Sequence, residues 1–170
     1  TSNGAIDGAD IFDGSSSYLS LGTDSNLQPV VGTLSVWLNA TATNGYRTIF
    51  TGSTGSSVTR HPWLFIYNGN LRFILTNNAV EESHFLNTIL TNTMYYVTVT
   101  WNGTATTLYI NGVAVKTETQ SILPAGNFNT KRIGGLNPPS YPNVFAGILD
   151  ELRLSKIARS ASYVKTCYNN

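Results

Sequence analysis

The sequence predicts an all-β fold: a two-sheet antiparallel β-sandwich with a short C-terminal helix. Three observations predict it. Short runs rich in Val, Ile, Thr and aromatic residues recur from end to end, as strands do. Asn-Gly pairs stand between several of these runs, and Asn-Gly marks hairpins because both residues accept positive φ. Charged residues make up only 11% of the chain, against roughly 25% in an average soluble domain, so Thr, Ser, Asn and Gly carry the polar surface.

The elements follow in order. Residues 33–39 alternate strictly, with Leu34, Val36 and Leu38 on one face and Ser35, Trp37 and Asn39 on the other. Strands follow over 46–51 and 63–67, and Asn68-Gly69-Asn70 turns the second into 71–76. Downstream, 95–101 is followed by Asn102-Gly103, then 106–110, then Asn111-Gly112 and 113–119; a last strand covers about 145–154. Ser160 is placed to cap a helix through Tyr168, with Tyr163, Val164, Cys167 and Tyr168 spaced to bury one side. Roughly a dozen strands at this spacing pack as two sheets rather than as a parallel α/β fold. No linker or low-complexity tract interrupts the 170 residues, so a single domain over 1–170 is expected.

Composition narrows the function. The net charge is +1 and Lys and Arg form no run, which argues against nucleic acid and anionic membranes, since both reward concentrated positive charge. No apolar stretch approaches the ~20 residues of a membrane span, so no membrane insertion is expected. Cys167 is the one cysteine, which rules out an internal disulfide. A low-charge, strand-rich chain suits an extracellular or cell-surface setting. The opening Thr1-Ser2, without Met, reads as a processed protein or as part of a larger, multidomain one.

Three segments carry a family resemblance: "FDGSSSYLSLG" with the following "TLSVWLNA", then "YYVTVTWNGTATTLYINGVAV", then "FAGILDELRLSKIARSASYVKTCYN". Together, and in this order, they resemble the laminin-G-like domains of the concanavalin A-like jelly-roll family. The resemblance spans nearly the whole chain. It implies that the first and last long strands are neighbours, and it implies a fold more firmly than a function, because members bind sugars, proteins or calcium, or act as spacers.

Catalytic chemistry is not evident. Glycoside hydrolysis on related jelly rolls needs carboxylates at alternating positions of one strand, facing each other across roughly 5.5 Å. Here Glu81-Glu82 and Asp150-Glu151 are adjacent pairs whose side chains point to opposite faces of a strand, and Glu118 is solitary. His61 and His84 read as loop or surface histidines, and no Gly-x-Ser-x-Gly elbow is present. The chain is therefore read as non-catalytic.

For metals, His and Cys do not cluster, so zinc is not expected. Asp7, Asp10 and Asp13 lie near the start. Asp150 in "GILDELRLS" resembles the closing-strand position where many concanavalin A-like domains hold a structural calcium. Two readings stand side by side: Asp13 and Asp150 share a calcium ion, or Asp13 accepts hydrogen bonds within its own turn while Asp150 pairs locally.

Ligand binding points to aromatics outside the core. On 63–67, Trp63, Phe65 and Tyr67 share one face and Leu64 and Ile66 the other, and one of these apolar faces must point away from the core. Arg60 and His61 stand just before this run, and Tyr46, Arg47 and Tyr141 elsewhere in the chain add further rings and donors. An aromatic platform with polar donors suits the C–H faces and hydroxyl edges of a sugar. The leading expectation is a carbohydrate-binding or adhesive module for a glycan or polysaccharide. The alternative is a structural or protein-interaction domain that recognises a surface protein.

Overall fold

The computed structural model describes residues 8–53, 60–77, 80–125, 130–136 and 143–170. Among these described residues the strands form two six-stranded sheets. The first runs β1 (Asp10–Asp13), β12 (Ala146–Ser155), β3 (Gly32–Ala40), β8 (Met94–Trp101), β9 (Ala105–Ile110), β10 (Val113–Thr119). The second runs β2 (Leu19–Gly22), β11 (Thr130–Ile133), β4 (Tyr46–Ser53), β5 (Arg60–Tyr67), β6 (Asn70–Asn77), β7 (Val80–Thr88). Every pairing between these strands is antiparallel. The expected sandwich is present, and the first and last strands are neighbours, with Phe12 opposite Gly147.

Strand alternation builds the interior. Leu34, Val36 and Leu38 of β3 and Val97, Val99 and Trp101 of β8 point inward and meet Leu64, Ile66, Leu71, Phe73 and Leu75 of the second sheet in one apolar cluster. Burying each such side chain contributes about 1.5–3 kcal/mol. Two of the Asn-Gly pairs turn as expected: Asn68 and Gly69 (φ 48° and 79°) join β5 to β6, and Asn111 and Gly112 (φ 50° and 77°) join β9 to β10. Such turns twist with the strands they join.

The helix α1 (Ala161–Asn169) is capped by Ser160, whose Oγ accepts from the Tyr163 N–H at 3.3 Å. It covers the outer face of the first sheet, where Val164 packs with Tyr96, Tyr109, Trp37, Cys167 and Tyr168. Tyr163 departs from expectation. It turns away from the sheet, 44% exposed, with the Arg159 guanidinium over its ring. The helix turn carries it about 100° from Val164, past the edge of the buried stripe.

Candidate functional site

The outer face of the second sheet is unlike that of the first, because no helix covers it among the described residues. Its layout follows from strand register. Ser20, Arg132, Thr51, Trp63, Ile74 and Ser83 form one row across six strands. The next row holds Thr48, Phe65, Arg72 and Phe85, and the third Tyr46, Tyr67, Asn70 and Thr88. Leu64 and Ile66 belong to the inter-sheet core, so the Trp63/Phe65/Tyr67 face is the one that points away from it.

On that face the rings form a continuous layer. Trp63 stacks on Phe65 with centroids 3.8 Å apart. Tyr46 reaches over from β4 to Trp63, Phe65 and Tyr67, at 5.8, 5.7 and 4.4 Å. The Arg72 guanidinium lies over the Tyr67 ring, 4.7 Å from its centroid, an arrangement that favours a cation. The turn before Tyr46 is tied to the β5–β6 hairpin: the Gly45 N–H donates to Asn68 Oδ1 at 2.8 Å and the Gly69 N–H to Thr43 O at 2.9 Å. Those bonds hold Tyr46 across from Tyr67.

Exposure divides the layer in two. Trp63 and Phe65 are buried, 3% and 1% exposed. Leu136 packs on them, and the Trp63 indole N–H donates to Thr48 Oγ1 at 3.2 Å. Tyr46 is 38% exposed, Tyr67 and Arg72 are half-buried, and Asn70, Ser83 and Thr88 are exposed. The part of the layer that faces solvent is therefore Tyr46, Tyr67 and Arg72 with Asn70 and Thr88, resting on Trp63 and Phe65.

The structure separates His61 and Arg47 from this layer. His61 shares β5 with Trp63 but turns inward. It is 2% exposed, its ring lies edge-on to Trp101, and Nε2 is 3.2 Å from Pro29 O. Strand pairing shifts opposite it, between Thr51 and Ser53, and such a bulge re-aims the side chains beside it. Burial holds the imidazole down to about 4, against a smaller opposing effect of the Pro29 carbonyl. Arg60 lies at the start of β5, opposite Ser53; its side chain, and all of Tyr141, fall outside the described residues. Arg47 spends its donors internally, on Asn44 O and Oδ1, Gly14 O and Val144 O.

His84 is no surface histidine either. It is 2% exposed on β7, at the seam where β7 meets β10. Nδ1 is 3.0 Å from Glu118 Oε2 and Nε2 3.2 Å from Thr106 Oγ1. Glu82 Oε1 lies 3.1 Å from Nε2 but outside hydrogen-bonding geometry. Partial burial pushes the Glu118 carboxyl up, yet hydrogen bonds from Lys116 and His84, and their charges, leave it below its usual value.

The paired aspartates do not meet. The β1–β12 register sets Asp13 opposite Ala146 and Asp10 opposite Leu149, so Asp13 lies four positions from Asp150, roughly 14 Å along the strand. The Asp13 carboxylate is engaged in its own turn. Oδ1 accepts from the N–H groups of Ser15, Ser16 and Ser17 and Oδ2 from the Ser16 hydroxyl, which holds it well below the usual carboxylate range. These two residues do not fit one calcium ion, and among the described residues no group of three or more His, Cys, Asp or Glu is placed to hold a metal. Asp150 and Glu151 break the alternation expected of them: Glu151 has φ 51°, the pairing shifts between Asp150 and Arg153, and both residues line a cavity of about 410 Å³ with Phe12, Leu19, Ile133 and Leu149. That cavity opens beside the edge strands β1 and β2, and Asp10 lines it as well.

Residues 13–165 match the Laminin_G_3 family model, described as the concanavalin A-like lectin/glucanases superfamily. The chain belongs to that superfamily. No curated protein sequence matches it significantly. Among solved structures, the CBM40 domain of the Ruminococcus gnavus IT-sialidase bound to α2,3-sialyllactose superposes with a TM-score of 0.77 at 13% identity, covering 94% of this chain and 96% of that one. Domain 4 of AbnA, a GH43 extracellular arabinanase from Geobacillus stearothermophilus, in complex with arabinotriose, gives 0.75 at 21% identity, covering 97% and 78%. The receptor binding domain of botulinum neurotoxin C/D mosaic serotype gives 0.70 at 19% identity; this chain covers 40% of that domain and 89% of its own length is matched. At such identities the likeness shows the fold.

Arg72, Asn70 and Thr48 join the candidate site although residue type alone did not mark them. The signal for the first two was available. A two-residue Asn68-Gly69 turn pairs Tyr67 with Asn70 and Phe65 with Arg72, so hairpin register alone puts them beside the rings. Leu136 had no such signal, because it reaches Trp63 from a distant part of the chain.

Proposed function

We propose that this domain is a non-catalytic module that binds carbohydrate on the outer face of its second sheet, in an extracellular or cell-surface protein. One observation carries the reading: an aromatic layer lies outside the core, with the rings of Tyr46 and Tyr67 reaching solvent beside Arg72 and Asn70. A ring stacked against a sugar's C–H face, flanked by amide and guanidinium donors, is the chemistry a shallow glycan site needs. The carbohydrate-bound CBM40 and arabinanase domains support it as neighbours in fold. Among the described residues no pair of carboxylates flanks the aromatic layer, which is the arrangement that glycoside hydrolysis uses.

The test is a glycan panel followed by calorimetric titration. Binding is expected in the micromolar to millimolar range, roughly −8 to −4 kcal/mol. Tyr67→Ala and Tyr46→Ala are expected to weaken it at least tenfold with little change in melting temperature. Trp63→Ala acts differently, because that ring is foundation rather than surface; it should destabilise the fold by about 3–5 kcal/mol. Failure of the whole panel to bind would refute the reading.

A further inference from the structure

The outer face of the second sheet has an uneven charge. Its three rows, from Ser20 to Ser83, Thr48 to Phe85 and Tyr46 to Thr88, contain two arginines, Arg132 and Arg72, and no aspartate or glutamate. The face thus holds a formal +2 in a chain whose total is +1. The nearest acid on the same side of β7 is Glu81, one row further out, opposite Thr76. Glu82 is turned to the β10 seam, where Oε2 accepts from Ser121 N and Oγ and from Ile122 N.

Both guanidinium groups lie against tyrosine rings, Arg72 over Tyr67 at 4.7 Å and Arg132 over Tyr18 at 4.5 Å. Stacking fixes the plane of a guanidinium, the group whose parallel N–H donors match the two oxygens of a carboxylate, and the Nε of each of these two is buried. The two groups are not equivalent. Strand spacing and register put their backbones roughly 16 Å apart, beyond the ~8 Å over which exposed charges act at physiological salt. Arg132 also donates to Leu136 O at 2.8 Å, on the side of the sheet that Leu136 covers. Arg72 is the one that stands among Tyr46, Tyr67 and Asn70.

Resting on the carbohydrate reading above, we infer that the ligand is an acidic sugar whose carboxylate is received by Arg72 while its ring packs against Tyr67 or Tyr46. The shared chemistry is a carboxylate on a pyranose, whether from a uronic acid or a sialic acid. Two pairs of probes separate these sources: trigalacturonate against its methyl ester, and sialyllactose against lactose. Each is titrated by calorimetry into the full chain at low and high salt.

At least one acidic probe should bind fivefold or more tightly than its neutral partner, and high salt should remove most of that preference. Arg72→Gln should abolish the preference, and Arg72→Lys should restore only part of it because the fork is lost. Melting temperatures and circular dichroism of both variants confirm that they fold. If Arg72→Gln does not fold, the salt dependence and the ester comparison on the unmodified chain decide the matter. Equal affinity for acidic and neutral partners, or binding of neutral glycans alone, overturns this inference and leaves the carbohydrate reading standing. Absence of binding to every glycan overturns both.

Discussion

His61 and Trp63 stand two residues apart on β5, yet they face opposite sides of the second sheet. Strict alternation would have put both on the outer face. The bulge opposite them sends His61 into the core against Trp101 and leaves Trp63 outside. A buried neutral imidazole has a consequence for stability. Burial lowers its folded value to about 4, from the ordinary 6.5. Between those values the unfolded chain takes up a proton that the folded chain refuses, so stability rises with pH across that window. It is fully present above pH 6.5 and falls as the pH drops toward 4, by about 3 kcal/mol. Urea unfolding at pH 7, 5.5 and 4 should show this loss in the unmodified protein, and His61→Leu should lack it. An identical slope in both proteins would mean that His61 is not the group responsible.

Elements meet at two seams that no local sequence pattern announces. Along one side, the edge strands β7 and β10 are joined by the line Lys116–Glu118–His84 and by Glu82, whose Oε2 accepts three hydrogen bonds from Ser121 and Ile122 at 2.7–2.9 Å. Hydrogen bonds to a charged acceptor contribute about 1.5–3 kcal/mol each when the abandoned donors stay buried, and less where water replaces the acceptor. Ser121 is exposed and Ile122 half-buried, so Glu82→Ala is expected to cost about 2–3 kcal/mol in all. Thermal unfolding measures it, and a change below about 0.5 kcal/mol, the usual scale of surface substitutions, would mean the seam is held by packing alone. The second seam is the turn after β11. Gly134 has φ 79°, and a Cβ there would lie 2.0 Å from the Phe12 ring. Only glycine lets the chain turn at this point toward the outer face, where Leu136 covers Trp63.

At the scale of the whole molecule, what was legible in the sequence is what depends on neighbours along the chain. The alternation of Leu34, Val36 and Leu38, the two faces of 63–67 and the turns at Asn68-Gly69 and Asn111-Gly112 are local, and each is present. The adjacency of β1 and β12 came from the family resemblance rather than from any residue. Its register did not, and a displacement of four positions is enough to part Asp13 from Asp150. Strand β11, with only the four residues TKRI, is too short to show a period, although it sits between β2 and β4 and carries Arg132 onto the outer face of the second sheet. Burial of Trp63 was illegible for a related reason: Leu136 lies far along the chain, and contacts of that range leave no local pattern.

The proposed sugar site is the outer face of the second sheet. Backbone amide shift mapping, with the tightest-binding oligosaccharide of the panel titrated to saturation, tests this most directly. The predicted result is perturbation centred on Tyr46, Tyr67, Asn70 and Arg72, with the Trp37, Tyr96 and Tyr109 surface under α1 silent. Perturbations centred on that helix-covered face, or on the cavity beside β1 and β2, would contradict it.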